Sequence, residues 1–251
     1  MSMKRSWSIW AFLTIPLLVI SCKTQLHPTV KKVQYYQIDT SVQNDTAIVN
    51  YYSPFKIKLE QEMNRVIGVS DVALTKNRET ESLAGNFFVD ALLWKGKQLD
   101  PEVSVSFATK GGIRAGLPQG NITIGNIFEM MPFENAVTIL TLSGKDILRW
   151  ADYMAKTGGQ PASGIKLVIQ DNKVVTFEIN GLPVDSNARY KMVTYDYLAN
   201  GGDYITFLDT VLERKDHPQR VREALIEYVS FLTNQGKHIQ TKTDGRVTIH
   251  K

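Results

Sequence analysis

Ile165-Lys-Leu-Val-Ile-Gln170 and Val174-Val-Thr-Phe-Glu-Ile179 flank Asp171-Asn172. Two runs rich in β-branched and aromatic residues, on either side of a pair that tolerates positive φ, predict an antiparallel hairpin. The segments around it decide how that hairpin is housed. Upstream, Ala136–Leu142 is a predicted strand, and Ser143-Gly-Lys-Asp146 opens a helix with Ile147, Leu148, Ala151 and Met154 on one face, ended by Gly158-Gly159. Val103–Ala108 alternates apolar and polar residues like a half-buried strand and runs into the loop at Gly111-Gly112. Downstream come a strand at Tyr190–Thr194, a loop from Ala199 to Asp203, and a helix from about Pro218 that turns Val221, Ala224, Leu225, Tyr228 and Leu232 to the core. Strands and helices are interspersed and one strand pair is antiparallel, which predicts an α+β fold.

Toward the N-terminus the pattern is more helical. Ser53-Pro54 supplies an N-cap and a first-turn proline; Leu59, Met63, Val66 and Ile67 follow at helical spacing, and Gly68 is the expected stop. A second helix is expected from Glu81 to Trp94, carrying Leu83, Phe87, Ala91 and Leu92. Gly85 lies inside it, where glycine is unfavourable by about 1 kcal/mol, so something is expected to approach that turn closely. Residues 23–50 are polar and mixed, with a strand or two expected around Lys32–Ile38.

The chain has 251 residues, 43% hydrophobic and 22% charged, with a formal charge of +4. Such a chain can bury a core, which excludes intrinsic disorder. Its single cysteine excludes an internal disulfide framework and a CxxC zinc site. That cysteine ends a distinctive leader, MSMKRSWSIWAFLTIPLLVISC. Lys4 and Arg5 form a basic start, and the apolar run from Ile9 to Ile20 is too short to span a bilayer but suits an export signal. Val19-Ile20-Ser21-Cys22 resembles a bacterial lipobox, which implies cleavage before Cys22 and acyl chains on it as the anchor. A plain signal peptide or an uncleaved anchor is the alternative. Loss of Lys4 and Arg5 takes the 29 basic residues to 27 against 25 acids, a charge of +2. Bulk charge thus gives no support to nucleic-acid binding.

No catalytic pattern emerges. His27, His217, His238 and His250 stand apart from one another and from paired carboxylates, and no HExxH, GxSxG or P-loop occurs. What stands out is three separated stretches mixing glycine, charge and aromatic residues. They are Arg78-Glu-Thr-Glu81 with Gly85-Asn86 and Asp90; Gly111-Gly-Ile-Arg114 with Met131-Pro-Phe-Glu-Asn135; and Tyr197-Leu-Ala-Asn-Gly-Gly-Asp203. An arginine forks onto phosphate or sugar oxygens, a carboxylate accepts a diol, and aromatic faces sandwich a flat base.

In this order the stretches resemble the C-terminal domain of the 5'-nucleotidases. Ser82-Leu-Ala-Gly-Asn86 with Asp90-Ala91 is similar to the family's ExxLGNLxADA helix, and Gly111–Arg114 to the end of its NGGGIR loop. Gly120-Asn-Ile-Thr123 through Phe133 follows its GxIT…PF segment, and Leu198–Asp203 its LANGGD loop. The resemblance covers roughly residues 54–210. It implies one domain of layered mixed sheets flanked by helices, so the chain is expected to divide into a signal peptide (1–21), a tether (22–50) and this domain (51–251). It implies a base clamp of Phe133 and Tyr197, with Asn135 on the base, and Arg78, Arg114 and Asp203 on the ribose or a carboxylate. Thr109, Lys110, Glu134 and Tyr204 depart from the family's asparagine and glycines, and Lys110 and Glu134 are expected to bring bulk and charge beside the pocket, either changing which base or sugar is accepted or closing the site.

The resembled enzymes also carry a metallophosphatase domain with a two-metal site and a catalytic His–Asp pair. Residues 23–53 are too short to supply one, so this chain is expected to hold no cofactor, with divalent metals only on a partner. The expected role is a lipid-anchored recognition domain for a nucleoside or nucleotide, acting in nucleotide catabolism with a separately encoded metallophosphatase, at the outer membrane facing the periplasm. A non-catalytic nucleoside-binding lipoprotein and an envelope domain with a vestigial pocket are the alternatives.

Overall fold

The computed structural model describes residues 32–250. The expected signal peptide, Cys22 and the first part of the tether, residues 22–31, lie outside the described residues. Residues 32–39 form no strand, which corrects the expectation there. Their side chains are exposed, and a lone polar segment has no neighbouring strand to satisfy its backbone. The compact body of the fold is residues 50–251.

Helix α1 spans Thr46–Met63, beginning well before the expected start at Ser53-Pro54. Asp45 overrides that signal, because its carboxylate accepts from the N–H groups of Ala47 and Ile48 at 2.9 and 3.2 Å. Pro54 sits inside the helix. The expected continuation through Val66 and Ile67 also fails: the helix ends at Met63, and Val66–Ser70 is strand β1. Gly68 is not a helix stop but a point of close approach, since a Cβ there would meet Val229 Cγ1 at 2.5 Å and Thr233 Oγ1 at 2.7 Å. The antiparallel partner of β1 is β3 (Gly120–Thr123).

Three strands set the frame of the site. β2 (Val103–Phe107), β4 (Ala136–Ser143) and β9 (Arg189–Tyr195) lie in a five-stranded sheet of order β10-β4-β9-β2-β5, where β5 is Ala162–Ser163 and β10 is Glu213–Arg220. β9 runs parallel to β2 and antiparallel to β4, so one end of the sheet gathers the carboxyl ends of β2 and β9 and the amino end of β4. The hairpin forms as expected, from β6 (Ile165–Gln170) and β7 (Lys173–Ile179), with Asp171 and Asn172 at φ 51° and 58°. It belongs to a second sheet, β11-β6-β7-β8, completed by β8 (Leu182–Pro183) and by β11 (Val247–His250), which pairs in parallel with β6.

Helices cover both faces of the central sheet. α4 (Gly144–Lys156), capped by Ser143 onto Asp146 N–H, packs against both sheets. Its Trp150 meets Phe107 of the first sheet at 5.6 Å and Phe177 of the second at 5.8 Å between ring centres. α2 (Leu83–Leu99) packs against β2 and β9 and also against α6 (Val221–Asn234). Ser82 caps α2, and a Cβ on Gly85 would lie 3.2 Å from Pro161, the close approach expected of that glycine. α6 begins three residues after Pro218, because residues 213–220 are drawn into edge strand β10 beside β4, with a register shift between Asp216 and Arg220. The two remaining helices are α3 (Ile124–Met130) and the short α5 (Asp196–Ala199).

Candidate functional site

The loops leaving β2 and β9 and the loop entering β4 close around a cavity of about 280 Å³. Gly111, Gly112, Arg114, Phe133, Asn135, Tyr195, Tyr197 and Asp203 line it. Five of the six expected ligand-binding residues are therefore together, drawn from three segments far apart in sequence. Arg78 is not among the lining residues. It is exposed, and its contribution in this region is a carbonyl that accepts from Lys110 Nζ at 3.3 Å.

Each wall has a local cause. Gly112 N–H closes a turn onto Thr109 C=O at 3.1 Å. That turn carries Arg114, whose guanidinium lies 5.7 Å from the centre of the Phe133 ring. Phe133 is 39% exposed and Tyr197 48%, so both rings offer a face to whatever enters. Gly201, at φ 83°, turns the chain back after α5 so that Asp203 faces Thr109. A Cβ on Gly202 would meet the Tyr197 ring at 2.4 Å, so the glycine lets that ring lie flat on the backbone. Asp203 and Tyr204 both take left-handed backbone, at φ 53° and 58°. Tyr204, 97% exposed, thus sits where glycine would be unstrained.

Asp203 is held by hydroxyls. One carboxylate oxygen accepts from Thr109 Oγ1 and the other from Tyr197 Oη at 3.2 Å. Each oxygen keeps acceptor capacity for a ligand. Tyr195, missed in the sequence because it lies one residue past the expected strand and in none of the three stretches, is fully buried and its hydroxyl has no protein hydrogen-bond partner. Burial pushes that phenol up to about 12, against a smaller opposing effect of nearby Thr109.

Lys110 and Glu134 do not close the pocket, so of the two expected consequences closure fails. Lys110 turns away to the carbonyls of Arg78 and Gly158, and burial pushes its ammonium below the usual lysine range. Glu134 is turned to Arg222 and Arg220, and its hydrogen bond from Arg222 holds its carboxyl below the usual range. Neither residue lines the cavity.

A larger groove, about 690 Å³, lies at the other end of the central sheet among Glu102, Asp185, Lys191 and Glu213. Its lysine is already paired with Asp100 and Glu102, and it offers no pair of aromatic faces, so the smaller cavity is the better candidate. Among the described residues, no three or more His, Cys, Asp or Glu side chains assemble in a way that could hold a metal. No side-chain set there fits the divalent ions of a metallophosphatase. Among the same residues, no helix is long and apolar enough to cross a membrane.

A mixed α/β fold thus places at one sheet end a ligand-sized cavity walled by aromatic, arginine and aspartate side chains, the kind of concave site in which small molecules bind. Residues 60–210 match the family described as 5'-nucleotidase, C-terminal domain, and the chain belongs to that family. An apyrase of Tabanus yao is 29% identical over 242 residues, covering 84% of this chain and 43% of its own length. The trifunctional nucleotide phosphoesterase YfkN of Bacillus subtilis is 27% identical over 84% of this chain and 16% of its own. Among solved structures, a 5'-nucleotidase precursor of Thermus thermophilus matches with TM-score 0.69 and 27% identity, covering 81% of this chain and 42% of that one. The chain thus spans less than half the length of these relatives.

Proposed function

We propose that the cavity recognises the nucleoside portion of a nucleotide. Phe133 and Tyr197 hold the base between their faces, Asn135 meets its edge, and Arg114 and Asp203 take the sugar hydroxyls or a neighbouring anionic group. The observation that carries this reading is the convergence of these five side chains on one cavity of nucleoside scale. An aromatic face contributes roughly 1–3 kcal/mol per stacked base, and a carboxylate at the cavity wall that retains free lone pairs suits a diol. The names of the relatives, an apyrase, a nucleotide phosphoesterase and a 5'-nucleotidase, support the same substrate class.

The domain is further proposed to present its ligand to a metallophosphatase on a separate chain, in nucleotide catabolism, while anchored through acylated Cys22 at the outer membrane facing the periplasm. In this reading the recognition domain supplies orientation and the partner supplies the metal-assisted hydrolysis. Isothermal calorimetry of the purified protein against nucleosides and nucleotides tests the first part; saturable binding is expected, and absence of heat across the panel refutes it. Co-purification with the native lipoprotein tests the second. Nucleotidase activity should require the mixture, and full activity of the metallophosphatase alone refutes the partnership. Globomycin treatment should leave an uncleaved precursor that already carries the diacylglyceryl group if Cys22 is the anchor.

A further inference from the structure

Phe133 and Asn135, which line the cavity, and Glu134 between them, which does not, are gripped from behind by the start of α6. Val221 N–H donates to Asn135 C=O at 2.9 Å. Arg222 donates from Nη1 to Phe133 C=O at 3.2 Å and from Nη2 to Glu134 Oε1 at 2.6 Å. Its guanidinium lies 4.0 Å from the centre of the Phe128 ring, and the residue is only 7% exposed. Arg220 adds a second cation on the other oxygen of Glu134.

A guanidinium is costly to bury unless its donors and charge are satisfied. Arg222 meets that demand with one carboxylate, one backbone carbonyl and one ring face, and two of the three belong to the rim loop. Because the carbonyls of Phe133 and Asn135 are both taken by α6, the loop offers the cavity the Phe133 ring and the Asn135 carboxamide. That carboxamide makes no hydrogen bond to a described residue. Ring and amide are two positions apart in sequence, so the pins on either side of Glu134 fix the spacing between them. Arg222 does not itself line the cavity and lies beyond the matched residues 60–210.

We infer that Arg222 is a positioning residue for base discrimination: by pinning the Phe133 carbonyl and Glu134 to α6, it sets where the Phe133 face stands relative to the Asn135 amide. This rests on the nucleoside reading of the cavity. A flat base stacked on Phe133 presents a different donor and acceptor edge to Asn135 for each base, so the spacing selects among them. With the pin gone, the ring would still stack, because stacking is indifferent to the edge, but the amide would no longer meet a fixed edge.

The test uses the purified protein, calorimetry with adenosine, guanosine, cytidine and uridine, and hydrogen exchange of residues 131–136. Arg222→Gln is expected to speed exchange in that segment, weaken the tightest nucleoside about tenfold and narrow the ratio between the tightest and weakest. Arg222→Lys keeps a cation for Glu134 but cannot fork to the carbonyl as well, so it should recover affinity in part and the ratio hardly at all. Glu134→Gln, an exposed change that leaves the helix intact, should shift the ratio in the same direction and covers the case in which Arg222→Gln does not fold. An unchanged ratio in Arg222→Gln and Glu134→Gln, with affinity falling equally for all four nucleosides or not at all, overturns the inference while leaving the nucleoside reading standing. Failure of the unsubstituted protein to bind any of the four removes the nucleoside reading itself, and the inference with it.

Discussion

A methyl group added at Gly112 has no free space to enter. Its Cβ would fall 2.3 Å from Tyr195 Oη and 3.3 Å from Cζ, with Thr109 O at 3.4 Å. The nearest of these lies far inside van der Waals contact, so either the turn or the phenol must move. Tyr195 cannot yield cheaply, being fully buried with Phe88 edge-on at 6.5 Å. Overpacking of this kind typically costs 1–3 kcal/mol, so Gly112→Ala should destabilise the domain by about 2 kcal/mol and lower Tm by about 4–8 °C. Removing the hydroxyl alone should be different. It has no protein partner, so Tyr195→Phe should leave stability unchanged or raise it by up to about 1 kcal/mol. In the double variant the closest remaining atom is Cζ, at a distance that needs only a small adjustment. The two changes should therefore couple, with the double variant more stable than additivity predicts by about 1 kcal/mol or more. Urea unfolding of the four proteins, followed by far-UV circular dichroism, measures this. Equal costs of Gly112→Ala with and without the Tyr195 hydroxyl would refute the steric account.

Other outcomes follow from the same geometry. Phe133→Ala and Tyr197→Ala should each weaken nucleoside binding by roughly 1–3 kcal/mol, five- to 150-fold. Phe133→Ala should barely change Tm, since its ring is already partly exposed; calorimetry and thermal unfolding give the two readings. Ser82→Ala removes the hydroxyl that accepts from Gly85 N–H at 3.0 Å and should cost about 1 kcal/mol in chemical unfolding. The Tyr195 phenol is raised from 10.0 to about 12, so its contribution is fully present below pH 10 and is lost as pH rises through about 12. The stability of the unsubstituted protein should fall relative to Tyr195→Phe across that window, and parallel curves would contradict it.

The hairpin, the capped helix after Ser143 and the helix over residues 83–94 were legible because each carries its own local chemistry. Asp171-Asn172 accepts positive φ, Ser143 caps, and the apolar spacing of the other helix follows one face. Strand β10 was not legible, since Glu213-Arg-Lys-Asp-His-Pro-Gln-Arg220 shows no apolar alternation. It is held by backbone pairing to β4 and by Asp216 accepting from Thr138 Oγ1 at 2.7 Å, interactions that only the folded sheet supplies. Val66 and Ile67 misled because four apolar residues fit a helical period as easily as a strand, and β1 is decided by β3, far away in the chain. In the site, Phe133, Tyr197, Asp203, Arg114 and Asn135 were found through motif order. Lys110 and Glu134 were misjudged because long side chains choose their direction by available partners. For Glu134 those partners, Arg220 and Arg222, stand nearly ninety positions away. Tyr195 gave no signal distinct from that of a core residue.

The cavity has no wall that exists before the chain has folded. Thr109 and Asp203, which meet across its polar end, are 94 residues apart in sequence. A ligand for this cavity therefore binds the native state and gains nothing from the unfolded chain. By mass action, a concentration one hundred times Kd should add about 2.7 kcal/mol to unfolding, a rise in Tm of roughly 5–11 °C. Heating the protein in the presence of candidate compounds thus turns its own melting point into the assay, and lets an unknown ligand be ranked without a partner enzyme or a catalytic readout.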